Sequence, residues 1–223
     1  MIPPSPLLLA ASGIAGAMLG TVLTACVRDL PAHRKLSWPP RGPSRFFTIE
    51  TLTAALCAGA LWYYGPTMLG LSRVVLGAAL IVLFVIDLEH RLLPNVITLP
   101  GIAIGFAFSF VTEPGWRSSL IGIALGGGLP FAIAEIYYRV RAVEGVGMGD
   151  VKMLAMIGAF LGWPGAIMTL MLASIAGSIV GLAVIVLRRG DLQYAMPFGT
   201  FLAVGAALVA TLGPPLVEFL RLQ

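Results

Sequence analysis

Charge is scarce in this 223-residue chain: 14 Lys/Arg and 10 Asp/Glu amount to 11% of it, where a soluble domain carries roughly a quarter. Cysteine is nearly absent. Cys26 and Cys57 both lie in apolar runs, so neither a disulfide framework nor a cysteine-rich zinc site can be built. No polar segment is long enough to form a soluble domain, and no internal repeat suggests an inverted-repeat transporter. What is abundant is hydrocarbon, at 58% of residues. A soluble chain of this length has no core large enough to hide that much apolar surface. The composition therefore reads as an all-α, polytopic integral membrane protein. Its net charge of +4 becomes a matter of topology, and no nucleic-acid partner is expected.

A membrane-crossing helix needs about 20 mostly apolar residues. Candidate spans lie near 7–27, 48–65, 71–88, 96–112, 118–138, 151–163, 165–187 and 197–218, which predicts about eight crossings. The sixth is short, and Pro100 and Gly101 interrupt the fourth. One set of alternating loops holds eleven basic residues, running from Arg28 to Arg189. The other side holds only Arg73, Arg117 and Arg221. The positive-inside rule then puts the eleven in the cytoplasm and both termini on the opposite side of the membrane. Leu23-Thr24-Ala25-Cys26 is similar to a lipoprotein cleavage box, but Met1 to Pro6 lacks a basic leading region, so the first span is expected to be retained.

Ionisable residues at membrane depth are costly and suggest function. Asp87 follows the apolar run Leu76 to Ile86, and Pro94 predicts that the helix ends just beyond it. Asp150 closes Glu144-Gly145-Val146-Gly147-Met148-Gly149-Asp150 and opens the sixth span. Glycines so dense allow positive φ and close approach of another chain. Two crossings separate the aspartates, so both are delivered to the same, cytoplasmic, surface. Two carboxylates at a partly dry site titrate as a pair, one acid and one base. The base can activate water while the acid polarises a peptide carbonyl, with no metal required. His33 and His90 lack metal-site spacing, so no metal is expected.

Structural readings stand beside these. Asp150 also suits a helix N-cap, and Asp87 an ion pair with Arg91 one turn later. Glu135 is expected to pair with Arg139, Lys152 to snorkel or neutralise a carboxylate, and Gly126 to Gly128 to pack helices closely.

The segments Ile86-Asp87-Leu88-Glu89-His90-Arg91-Leu92-Leu93-Pro94-Asn95 and Gly147-Met148-Gly149-Asp150-Val151-Lys152 resemble the two aspartate motifs of the type IV prepilin peptidase family, the second being its GxGD segment. Pro197-Phe198-Gly199-Thr200 is similar to the opening of that family's last span, which usually has a second proline where Thr200 stands. The resemblance covers about 71–213. It implies an aspartic endopeptidase with Asp87 and Asp150 as the catalytic pair, and with Gly147, Gly149, Lys152, Pro94 and Asn95 shaping the site. It implies prepilins or pseudopilins of type IV pili or type II secretion as substrates, their short basic leaders cut at the cytoplasmic face.

Residues 1–70 resemble a reduced form of the family's methyltransferase part, followed by a peptidase membrane domain at 71–223. In bifunctional members a longer loop carries two zinc-binding CxxC pairs, and the new pilin N-terminus is methylated with S-adenosylmethionine. Here that loop is about twenty residues without cysteine, so neither zinc nor S-adenosylmethionine is expected. A methylating bifunctional enzyme, a transporter using the paired acids, and a presenilin-like protease remain the alternatives. The oligomeric state is not specified.

Overall fold

The computed structural model describes residues 4–31, 46–141, 147–188 and 197–221. Every regular element among them is helical: α1 (Pro6–Asp29), α2 (Phe46–Tyr64), α3 (Met68–His90), α4 (Asn95–Phe108), α5 (Trp116–Arg141), α6 (Met148–Arg188) and α7 (Phe198–Arg221). Four of these, α1, α3, α5 and α6, are long and apolar enough to cross a membrane, whereas α4 has only 14 residues. The eight apolar segments read from the sequence thus appear as seven elements, because the sixth and seventh are joined in α6.

That joint is a turn. Gly162 adopts φ 72°, a left-handed conformation that residues with a Cβ rarely take. Pro164 follows in the first turn of the next helical stretch, where its missing N–H loses no bond. The two halves of α6 run in opposite directions. The first half sets Asp150 beside the end of α3 that carries Asp87 and Phe160 beside its other end, at Arg73. The second half returns antiparallel to α7, with Thr169 near Gly205 and Gly177 near Phe198.

The core lies where the first half of α6 meets its neighbours. Met153, Leu154, Met156, Ile157 and Phe160 are buried against Leu76, Leu80 and Leu83 of α3 and Leu202 and Ala206 of α7. Lipid tails are as apolar as these side chains, so close backbone approach and hydrogen bonds hold membrane helices together. Gly122 of α5 lies directly against Gly158 of α6, and Gly126 against the Leu154 carbonyl. Beside them the Ser119 hydroxyl donates to the Ala159 carbonyl at 2.7 Å. The expected packing role of 126–128 is therefore met at Gly126, while Gly128 faces open space. Residues Val27, Ile49, Val82 and Ile86 form a smaller cluster that fixes α1 and α2 to the Asp87 end of α3.

These approaches make a contrast testable by thermal unfolding in detergent. Gly158→Val, which drives a side chain into the Gly122 backbone, is expected to destabilise the protein by about 1–3 kcal/mol. Gly128→Ala, with nothing within 4 Å of the added methyl, should leave the midpoint unchanged or raise it slightly.

Candidate functional site

The carbonyl end of α3 is closed by Arg91, whose φ of 54° turns the chain left-handed and whose N–H donates to the Asp87 carbonyl at 2.8 Å. The helix therefore runs three residues past Asp87, as the proline at 94 requires. Asp87 is 4% exposed, a buried carboxylate in an apolar helix. Its anchor comes from another element. The first turn of any helix has N–H groups without intrahelical partners. In α7 the Thr200 N–H donates to Asp87 Oδ2 at 2.8 Å, and the Gly199 N–H is bonded to the same carboxylate. Asp87 thus caps α7 from outside, and the positive end of that helix faces the acid.

Asp150 enters from the first half of α6, close enough for the charge on Asp87 to bear on it. Its Oδ1 is buried with no hydrogen-bond partner among the described residues. The expectation that Asp150 is the N-cap is corrected here. Helix α6 begins at Met148, and the Gly147 carbonyl accepts the N–H of Asp150 at 3.0 Å, so Asp150 sits in the first turn with its side chain free for other work.

Leu93, in the short link between α3 and α4, is what the glycines accommodate. A methyl built on Gly149 would lie 2.9 Å from Leu93 Cβ, and one on Gly199 would lie 3.0 Å from Leu93 Cδ1 and 2.9 Å from Asp87 Oδ2. Left-handed φ is not the reason for Gly147 and Gly149, neither of which adopts it; at Gly149 the requirement is space. Residues 142–146, including Glu144 and Gly145, lie outside the described residues.

The remaining site residues also converge. Pro94 starts α4 with extended backbone, and Asn95 follows it. The Lys152 ammonium donates to Asn95 Oδ1 at 2.9 Å and so ties α4 to α6 beside the aspartates. Lys152 thus binds an amide at an exposed position, and no carboxylate lies within ion-pair distance of it among the described residues. Glu89 and His90 are exposed and face each other at 3.9 Å. Glu135 pairs with Arg139 at 2.7 Å, as read from their spacing. Among the described residues no three His, Cys, Asp or Glu side chains gather in a way that could hold a metal ion. Sequence reasoning missed the two amide donors of α7. The signal was available: Pro197-Phe198-Gly199 before an apolar run marks a helix start, and helix starts attract anions.

Two acids are thus brought together at the shared end of α3, α6 and α7 of an all-α membrane protein, one anchored by amides and one with a buried oxygen unmatched among the described residues. Residues 74–182 match the type IV leader peptidase family. It is 35% identical over 173 residues to a prepilin leader peptidase/N-methyltransferase of Burkholderia pseudomallei, covering 77% of this chain and 56% of the relative. A protein of the same name from Xanthomonas campestris is 31% identical over 172 residues, covering 76% and 60%, and one from Pseudomonas aeruginosa 32% over 161 residues, covering 72% and 56%. The chain thus spans a little over half the length of these relatives. No solved structure matches it.

The proximity of the acids is checked by chemistry on a double variant. With Cys26 and Cys57 changed to Ser, Asp87→Cys/Asp150→Cys protein in membranes is expected to be linked by a short bifunctional thiol reagent. Failure to link, with each thiol accessible to a monofunctional reagent, would contradict the arrangement.

Proposed function

We propose that the chain is a prepilin leader peptidase that uses Asp87 and Asp150 to activate water, cutting the short basic leader of a type IV prepilin or pseudopilin. The observation that carries the proposal is the convergence of these two acids from α3 and α6, inside the segment that matches the leader peptidase family. The names of the relatives support the same substrate class.

The surroundings divide the labour. Asp87, its Oδ2 accepting from the Thr200 N–H at the positive end of α7, is the better stabilised of the two as a carboxylate and serves as base. Asp150, whose Oδ1 has no hydrogen-bond partner among the described residues, carries the proton. Asp87 takes a proton from water as the water oxygen attacks the scissile carbonyl carbon. Asp150 gives its proton to the carbonyl oxygen, producing a neutral gem-diol. Collapse breaks the C–N bond, the leaving nitrogen takes the proton held on Asp87, and a diol proton returns to Asp150. No cofactor enters these steps, and zinc and S-adenosylmethionine have no part in the proposal.

The basic residues at 28–45, 91, 139–152 and 188–189 support an inner-membrane topology with this end of the bundle facing the cytoplasm and both termini in the periplasm. Eight crossings follow if the turn at Gly162 and the shorter helices each complete a passage. In this reading residues 1–70 form the reduced N-terminal part and 71–223 the peptidase domain. The relatives' names also include an N-methyltransferase; labelled S-adenosylmethionine supplied with cleaved pilin tests whether that activity extends to this chain.

Asp87→Asn and Asp150→Asn are each expected to lower cleavage of a prepilin peptide at least about hundredfold while the protein remains folded and inserted, measured by mass spectrometry on purified protein. Wild-type cleavage by a folded Asp150→Asn protein would refute the mechanism. A subtler variant probes the anchor. Thr200→Pro removes that N–H in a first turn where no helix bond is lost and sets the ring Cδ against Asp87 Oδ2, so the carboxylate must shift and kcat should fall by at least about tenfold. Thr200→Ser keeps the N–H and should keep the wild-type kcat.

A further inference from the structure

Helices α2, α3 and α7 leave between them an apolar groove of about 800 Å³ that no described residue fills. It follows the face of α3 from Val85, two residues before Asp87, to Arg73, which is about 18 Å of helix. On α7 it begins at Ala203, three residues after Thr200, and ends near Ala210, whose carbonyl accepts the Tyr64 hydroxyl at 2.9 Å. Its lining includes small residues such as Ala55, Gly59 and Ala207, which let a partner backbone approach closely. The groove thus ends within about one helical turn of Asp87 on α3 and of Thr200 on α7, neither of which lines it.

Its two ends differ in charge. Asp87, with Asp150 beside it, lies just beyond one, and at the other Arg73 lines the groove; one of its terminal nitrogens donates to the Phe160 carbonyl, and its buried Nε has no hydrogen-bond partner among the described residues. An α-helix carries a positive amino end and a negative carboxyl end. A helix laid in the groove with its amino end at Asp87 therefore meets opposite charge at both ends, and the reverse orientation meets like charge.

We infer that this groove holds the apolar helix of the protein substrate, amino end toward Asp87, so that the peptide bond just before that helix is presented to the aspartate pair. The inference rests on the peptidase reading and adds where the substrate lies and which way it points. The groove gives binding; the carboxylates give chemistry.

The two are separable by experiment. The probes are a synthetic peptide with a lysine-rich leader ending in glycine followed by about 20 apolar residues, and a short version that stops a few residues after the glycine. Ala55→Trp and Ala207→Trp place bulk on exposed positions of the groove, away from the acids. Each should raise KM for the long peptide at least about tenfold and leave cleavage of the short peptide unchanged. Wild-type kinetics on the long peptide in both folded variants would overturn the inference.

Crosslinking tests it without catalysis. An Asp150→Asn chain in nanodiscs, with Cys26 and Cys57 changed to Ser and Ala207→Cys added, should form a disulfide with a long peptide carrying cysteine about seven residues beyond the glycine. Ile121→Cys, on an exposed face of α5, should not. Equal crosslinking at both positions, or phospholipid filling the groove and excluding the peptide, would overturn the inference. If the wild-type protein cuts neither peptide, the peptidase reading fails, and the crosslink still decides whether the groove takes a helix.

Discussion

The bond from the Thr200 N–H to the Asp87 carboxylate ties together more of this molecule than any other single contact. Apolar helices in a bilayer have no hydrophobic drive to choose one neighbour over another, so polar links decide which surfaces meet. Here a buried acid on α3 needs partners, and the first turn of α7 has amides with none. Satisfying both at once fixes the register of the two helices and holds the acid at the rim of the bundle. Leu93 then wedges between Gly149 and Gly199, bringing α6 and its own acid to the same place.

At the other end of the bundle the same need is met differently. The turn at Gly162 leaves carbonyls at the end of the first half of α6 without helical partners. Arg73 from α3 donates to Phe160 at 3.2 Å, and Ser119 from α5 donates to Ala159. Backbone groups cannot stay unsatisfied away from water, so the broken helix is held by side chains reaching from two neighbours.

Much of this was readable in the sequence, for reasons tied to particular residues. Apolar runs broken by Pro94, Gly162 and Pro164 mark helix limits because proline and glycine act on the backbone of their own segment. Glu135 and Arg139 meet because a four-residue spacing suffices on any helix. Asp87 stood out as an acid ending an uncharged run. The donors at Gly199 and Thr200 did not, because a backbone amide leaves no side-chain signature, and its partner lies 113 residues away. The place of Asp150 inside the first turn depended on the Gly147 carbonyl starting the helix, which spacing alone does not reveal. Lys152 found Asn95 because of how α4 packs on α6, a tertiary fact.

The short elements carry a consequence for the surrounding lipid. Helix α4 has 14 residues, and the part of α6 before Gly162 is of similar length, so each rises only about 21 Å, well short of a hydrocarbon layer about 30 Å thick. Hydrophobic mismatch of that size is relieved by drawing the leaflets together around the protein. A bilayer that α4 crosses would therefore be thinned beside it, which brings the headgroup layer toward the carboxylates without any channel having to be bored through the bundle.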